Sequence, residues 1–378
     1  MTPPTILTVF GTRPEAIKMF PVVQALQAES GLDTRVAVTA QHREMLDQVL
    51  DIAGIVPDID LDLMTAGQSL DELSARILTN FGAALDELKP ARILVHGDTL
   101  TTMMATIAAY FRKIPVGHVE AGLRSGNIYS PWPEEVNRKV TGAIADLHFA
   151  PTEAAAASLK AENVPASAIH VTGNTVIDAL LQSVREDYRF DDPQLAALSR
   201  DSRIMLVTMH RRESIGEPMR QVANAILRIK NAHPDLTVVL PTHRNPAVRE
   251  IVMGALADTP GIILTDPLPY LDFVHMMARS HLILTDSGGV QEEAPSLKKP
   301  VLVIREVTER PEGVTAGVAK LVGTNAEKIF TAVHQLLTDA QAYNAMIGNE
   351  SPYGDGQASV RIADAIVAWH DRISKGGQ

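Results

Sequence analysis

The residues best suited to chemistry in this 378-residue chain stand just past short apolar runs. In Leu282-Ile283-Leu284-Thr285-Asp286-Ser287-Gly288-Gly289 an apolar run ends in a hydroxyl and two glycines, and a helical pattern follows. Backbone N–H groups at such a turn can cradle a diphosphate, aided by the helix dipole. Glu292 or Glu293, one turn further on, could accept from ribose hydroxyls. The bland alternative is a tight turn whose glycines serve geometry only. The segment has no GK[ST], so it is not a Walker loop. Arg13, in Gly11-Thr12-Arg13-Pro14, opens another helical stretch, where a cation opposes the dipole unless an anion is expected. Met209-His210-Arg211-Arg212 follows the run 204–208, and Pro241-Thr242-His243-Arg244 follows 237–240. Basic side chains at strand ends suit phosphate.

Carboxylates take the corresponding places in the first half. Asp98, in His96-Gly97-Asp98-Thr99, follows the run 93–95 and either N-caps the stretch 101–111 or serves chemistry. No further metal-ligand spacing accompanies His96 and Asp98, so no metal is expected. Glu120 leaves the run 116–119, an unusual place for a carboxylate unless it is paired or functional; Arg124 is its obvious structural partner. Glu134 and Glu135 follow Pro131-Trp132-Pro133, where the prolines order a loop and the acids favour a helix start.

The elements that must position these groups alternate along the chain. Apolar runs fall at 6–10, 34–39, 93–95, 116–119 and 147–150, then at 204–208, 237–240, 262–264, 282–284 and 300–304. Helical stretches such as 15–27, 69–87 and 101–111 separate them. Continuously apolar strands are buried on both faces, and alternation with helices predicts parallel sheets. At about 150 residues per domain the length suggests two domains. The charged run REDYRFDDP lies between the halves, at the edge of the second. The tail has apolar residues at helical spacing and could pack on either domain. Ligands of such sheets sit beyond the strands' carboxyl ends, so two facing domains would share one ligand in a cleft. A hydrophobic content of 46% is ordinary for a globular protein, and the absence of cysteine removes disulfide and zinc–thiolate chemistry. The net charge of −11 argues against nucleic-acid or anionic-membrane partners. No apolar stretch nears the roughly 18 residues of a membrane span, and the start lacks a signal-peptide pattern, so a cytoplasmic enzyme is expected.

Jointly, FGTRPEAIKM, TAQHREMLDQVL, HGDT, GHVEAGLRSGN, YSPWPEE, GNTVIDALL, HRRES, LTDSGGVQEEAPSL, TERPEGVTAG and PYGDGQAS resemble the non-hydrolysing UDP-N-acetylglucosamine 2-epimerases, in that family's order and over nearly the whole chain. The resemblance implies two Rossmann-like α/β domains, their parallel sheets facing across a cleft in the GT-B arrangement. The division is residues 1–172 and 173–356, with a C-terminal helix at about 357–378 packed back on the first. It implies a catalytic group of Asp98, Glu120, Glu134 and His210. UDP would be held by Arg13, Ser287, Gly288 and Gly289 at the diphosphate, Glu293 at the ribose and Phe273 at the uracil, with Lys18 and Arg138 in support. It further implies a second, activating UDP-N-acetylglucosamine on Gln41, His42, Gln68 and His243, and a homodimer. The sequence departs from the family's usual Gly, Thr and Leu at Met209, Leu100 and Arg244.

The chemistry implied is epimerisation at C2 without a cofactor or metal. The C2–H is not beside a carbonyl, so no ordinary base removes it, and the glycine fingerprint of an NAD site is missing. Elimination solves the problem: the C1–O bond to UDP breaks and the C2 proton leaves, giving 2-acetamidoglucal and UDP. Re-addition with a proton delivered to the other face inverts C2. Arg13, His210 and the turn at 287–289 would stabilise the leaving diphosphate. Asp98, Glu120 and Glu134 would carry protons, which leaves open which acid serves which face. A hydrolysing epimerase releasing UDP and N-acetylmannosamine, and a GT-B glycosyltransferase using a UDP-sugar, are the competing readings.

Overall fold

Continuous apolar runs build two all-parallel sheets. The computed structural model describes residues 3–39, 43–65, 67–211 and 215–376. They form two units, Met1–Ala179 with Gly354–Gln378, and Leu180–Tyr353. The first unit holds β1 (Thr5–Phe10), β2 (Asp33–Val38), β3 (Ile59–Asp60), β4 (Arg92–His96), β5 (Val116–Val119), β6 (Leu147–Ala150) and β7 (Ile169–Val171), in the order β3-β2-β1-β4-β5-β6-β7. The second holds β8 (Ile204–Thr208), β9 (Thr237–Pro241), β10 (Ile262–Thr265), β11 (Leu282–Thr285), β12 (Val301–Val303) and β13 (Ala319–Leu321), in the order β10-β9-β8-β11-β12-β13.

Burial on both faces is visible in the alternation along each strand. In the second unit Met205, Val207, Val238, Leu240, Leu282 and Leu284 join one core cluster. Their neighbours Ile204, Leu206, Val239 and Ile283 join another. The first unit divides alike, with Ile6, Phe10, Val36 and Leu94 in one cluster and Leu7, Val9, Ala37 and Ile93 in the other. Truncating a large buried member such as Phe10 to alanine would cost about 3–5 kcal/mol.

In both sheets the order reverses beside the first strand. The reversal lies between β1 and β4 in the first unit, where Val9 pairs with Val95. It lies between β8 and β11 in the second, where Thr208 pairs with Thr285. A parallel sheet opens a crevice at such a point, because the connections on either side leave toward opposite faces.

The C-terminal helix Ala358–Gly376 belongs to the first unit. Its Ile362, Ala363 and Ile366 share a cluster with Met19, Val22, Val23 and Leu26 of the helix Arg13–Ala28. Its start is tied down by buried Asp178, which accepts from Ser359 N at 2.7 Å and Ser359 Oγ at 2.6 Å.

Candidate functional site

At the first reversal point, local sequence fixes the loops. Thr12 and Glu15 form a capping box that opens the helix Arg13–Ala28. The buried Glu15 carboxylate accepts from Gly11 N at 3.0 Å and Thr12 N at 2.8 Å. It also accepts from Thr99 Oγ1 at 2.8 Å, which fastens the loop after β1 to the loop after β4. A Cβ at Gly11 would stand 2.1 Å from Thr39 Oγ1, so any larger residue would force that hydroxyl to move. Arg13 is exposed at the helix start.

Two carboxylates leave adjacent strands here, each held by its own cation. Asp98, after β4, is paired with Arg138, which also reaches Glu135 at 3.2 Å. Glu120, after β5, is paired with Lys18, and His96 Nε2 lies 3.7 Å from its Oε2. Burial pushes the Asp98 carboxyl above its ordinary value; Arg138 pulls it back and Glu120 adds to the rise. Burial pushes His96 down to about 4, so its ring is neutral. Glu120 has a φ of +61°, a strained conformation for a side chain of its kind and one that collects at functional positions.

The second reversal point carries the opposite arrangement. Asp286, fully buried at the end of β11, accepts from His210 N at 2.9 Å and Arg211 N at 3.0 Å. His210 Nδ1 lies 2.8 Å from its other oxygen. Burial works to raise the Asp286 carboxyl, but the bonds from His210 and Arg211 outweigh it and hold the group below its ordinary value. Ser287 stands at the N-cap of the helix Gly288–Ser296 without a side-chain cap bond. Gly288 and Gly289 have no positive φ, and a Cβ on either would meet nothing nearer than 3.8 Å. Backbone geometry therefore does not call for glycine, whereas a ligand lying against those N–H groups would. Phe273 is half-buried on the helix Tyr270–Arg279, and Glu293 lies near Gly289.

Several expectations change. Asp98 does not cap its helix: Thr99 does, through Thr102 N at 3.2 Å. Arg124 pairs with Glu162 at 2.8 Å rather than with Glu120. Glu135 makes no cap; its carboxylate closes the preceding loop by accepting from Ser125 N at 3.0 Å and Gly126 N at 3.2 Å. Glu134 is the first residue of that helix, half-buried. Glu292 is engaged with Arg310. Met209 is buried in the core without a positive φ, so the usual glycine is not needed for its backbone.

Of the residues expected to bind an activator, Gln41 and His42 lie outside the described residues. Gln68 Oε1 accepts from Thr65 N at 2.8 Å and Arg76 Nη1 at 3.2 Å, ordering the entry to the helix Leu70–Leu88. The exposed His243 ring stands 6.5 Å from that of His210, centroid to centroid. Sequence reasoning passed over Glu15 and Asp286. Asp286 carries the same signal that marked Glu120, a carboxylate at the end of a buried run. Among the described residues no group of acids and histidines could hold a metal, and no helix is long and apolar enough to cross a membrane.

A family model described as UDP-N-acetylglucosamine 2-epimerase matches residues 24–367. The chain is 53% identical to the UDP-N-acetylglucosamine 2-epimerase of Escherichia coli (strain K12), over 98% of this chain and 99% of that one. Among solved structures, it is similar to the UDP-GlcNAc 2-epimerase from Neisseria meningitidis bound to UDP-GlcNAc, at 46% identity and a TM-score of 0.84 over 96% of this chain and 100% of that one. It is also similar to the S. aureus MnaA–UDP co-structure, at 47% identity and a TM-score of 0.83 over 97% of each chain.

Proposed function

We infer that this chain, which belongs to the UDP-N-acetylglucosamine 2-epimerase family, interconverts UDP-N-acetylglucosamine and UDP-N-acetylmannosamine. The observation that carries the reading is the pair Asp98 and Glu120, leaving adjacent strands and each tied to its own cation. In the proposed reaction UDP is eliminated to give 2-acetamidoglucal and then adds back. Asp98, Glu120 and Glu134 carry the protons. A raised Asp98 can hold a proton nearer neutrality than an ordinary carboxylate, which suits an acid–base role. Lys18 and Arg138 fix the carboxylates in position.

The leaving diphosphate takes its compensation from Arg13, His210 and the N–H groups at Ser287, Gly288 and Gly289. Glu293 receives the ribose and Phe273 the uracil. The open space at both glycines supports this assignment. The scheme needs no cofactor. Nuclear magnetic resonance of UDP-N-acetylglucosamine incubated with the enzyme in D2O tests it. The expected product is UDP-N-acetylmannosamine carrying deuterium at C2. Free N-acetylmannosamine would move the chain to the hydrolysing branch, and sugar transfer to an added acceptor would make it a glycosyltransferase.

The same reading includes a homodimer in the cytoplasm and a second UDP-N-acetylglucosamine on Gln41, His42, Gln68 and His243. The place of His243 beside His210 supports communication between such a ligand and the catalytic imidazole. Sigmoidal dependence of rate on UDP-N-acetylglucosamine is expected, and a hyperbolic curve with unaided reverse turnover would remove the activator.

A further inference from the structure

We propose that Asp286 is a positioning residue that locks the His210 imidazole in one tautomer and one orientation, making the imidazole and the diphosphate turn a single unit. The inference rests on the epimerase reading for its consequence in turnover, though not for its geometry.

Asp286 directly follows β11 and precedes Ser287, Gly288 and Gly289. Its backbone N–H donates across the reversal point to Thr208 O at 3.2 Å. One carboxylate oxygen takes the N–H groups of His210 and Arg211, at 2.9 and 3.0 Å. The other faces His210 Nδ1 at 2.8 Å. Two backbone donors and the facing ring nitrogen thus converge on one carboxylate that has no solvent access.

An ionised carboxylate only accepts, so Nδ1 must carry its proton whether the ring is neutral or charged. The proton that His210 exchanges is then the one on Nε2. Backbone bonds fix the chain at His210 and the close contact of Nδ1 with the carboxylate restrains the ring, so few orientations remain for the imidazole. The adjoining negative charge also favours the imidazolium, the form that best compensates a departing diphosphate. Among the described residues, charged or titratable groups near the ring include His243 from the loop after β9, and Arg211 with its partner Glu309 at 3.3 Å.

Asp286→Asn separates this role from simple packing. The amide has one acceptor, which the two backbone N–H groups demand. Its NH2 is then turned toward Nδ1 and imposes the opposite tautomer, with the proton on Nε2. The expected result is a fall in kcat of roughly 10²-fold or more, with the pH limb belonging to His210 moved to lower pH by about one unit. His210→Gln alone and His210→Gln combined with Asp286→Asn should be equally slow, because the carboxylate acts through the ring. A merely structural carboxylate would slow the double variant further, and that outcome overturns the proposal. Nitrogen-15 resonances of the His210 ring, assigned by their loss in His210→Gln, read the tautomer without turnover. A wild-type neutral ring protonated on Nε2 overturns the proposal even if Asp286→Asn does not fold. A ring protonated on Nδ1 in an enzyme that fails to epimerise would sustain the positioning role and sink the functional reading instead.

Discussion

The two reversal points share a topology and differ in electrostatic sign. In the first unit carboxylates stand at the strand ends and cations hold them: Arg138 on Asp98, Lys18 on Glu120. In the second an imidazole stands outward and a buried carboxylate holds it from below. One fold therefore presents carboxylates held by cations at one point and an imidazole beside a buried carboxylate at the other, exchanging the residue that is presented for the one that supports it.

The largest effect is expected from the first unit's acids. Asp98→Asn and Glu120→Gln keep shape and remove proton acceptance. Turnover should fall by roughly 10²–10⁴-fold, while UDP affinity, measured by calorimetry, changes little. A loss of UDP affinity equal to the loss of rate would mean that the two reversal points do not divide the labour.

Next come the glycines, which serve different purposes at the two points. A Cβ at Gly11 would strike Thr39 Oγ1 at 2.1 Å and Thr101 Oγ1 at 2.6 Å, and those hydroxyls bond each other at 2.8 Å. Gly11→Ala should destabilise the fold by about 1–3 kcal/mol. Gly288→Ala meets only Arg310, at 3.9 Å. Alanine is the better helix former, so its thermal midpoint should hold or rise. UDP should nevertheless bind about tenfold or more weakly, because the methyl occupies the approach to the N–H groups. Unchanged UDP affinity in Gly288→Ala would remove the cradle from the second unit.

These contrasts also mark what the sequence could tell. Strands buried on both faces announce themselves as apolar runs, so ten lay where the runs predict. The three short strands β3, β7 and β13 did not, because each lies at a sheet edge and lacks such a run. A polar group ending an apolar run made Asp98, Glu120, His210 and Ser287 legible as candidates, while Asp286 carries the same signal without standing out from the turn that follows it. The partners of these candidates were not legible. Lys18 and Glu120 are 102 residues apart, and His210 and Asp286 are 76 apart. Nothing local predicts such pairings, and the one local guess, Arg124 for Glu120, failed because the fold pairs Arg124 with Glu162, 38 residues on.

A third contrast concerns buried imidazoles. His96 and His118, on the neighbouring strands β4 and β5, are buried and pushed by burial down to about 4 and about 3. The folded state refuses protons that the unfolded chain accepts near 6.5, so stability is intact above that pH and falls as pH drops below it. At pH 5 the loss is about 2 kcal/mol for each ring. Both tryptophans, Trp132 and Trp369, belong to the first unit, so their fluorescence reports its unfolding. The urea midpoint seen by fluorescence should drop between pH 7 and pH 5. An unchanged midpoint would show that these rings accept protons while folded.

The smallest expected effects concern two hydroxyls at the same strand-to-helix position. Thr152 follows β6, and its side chain accepts from Ala155 N at 3.2 Å, capping the helix Glu153–Ala161. Ser287 follows β11 and makes no such bond, although serine is among the best caps. A hydroxyl at a helix start that leaves the cap unmade is available to a ligand in the same place, where the dipole already favours an anion. Thr152→Ala should cost about 1 kcal/mol of stability and leave UDP affinity alone. Ser287→Ala should leave stability within about 0.5 kcal/mol. Its UDP affinity should weaken by about 0.5–1.5 kcal/mol, the net worth of one neutral hydrogen bond. Thermal unfolding with and without UDP gives both quantities in one experiment. If Ser287→Ala lowers the ligand-free midpoint as Thr152→Ala does, the serine is a cap after all, and the turn at the second reversal point loses its hydroxyl as a diphosphate ligand.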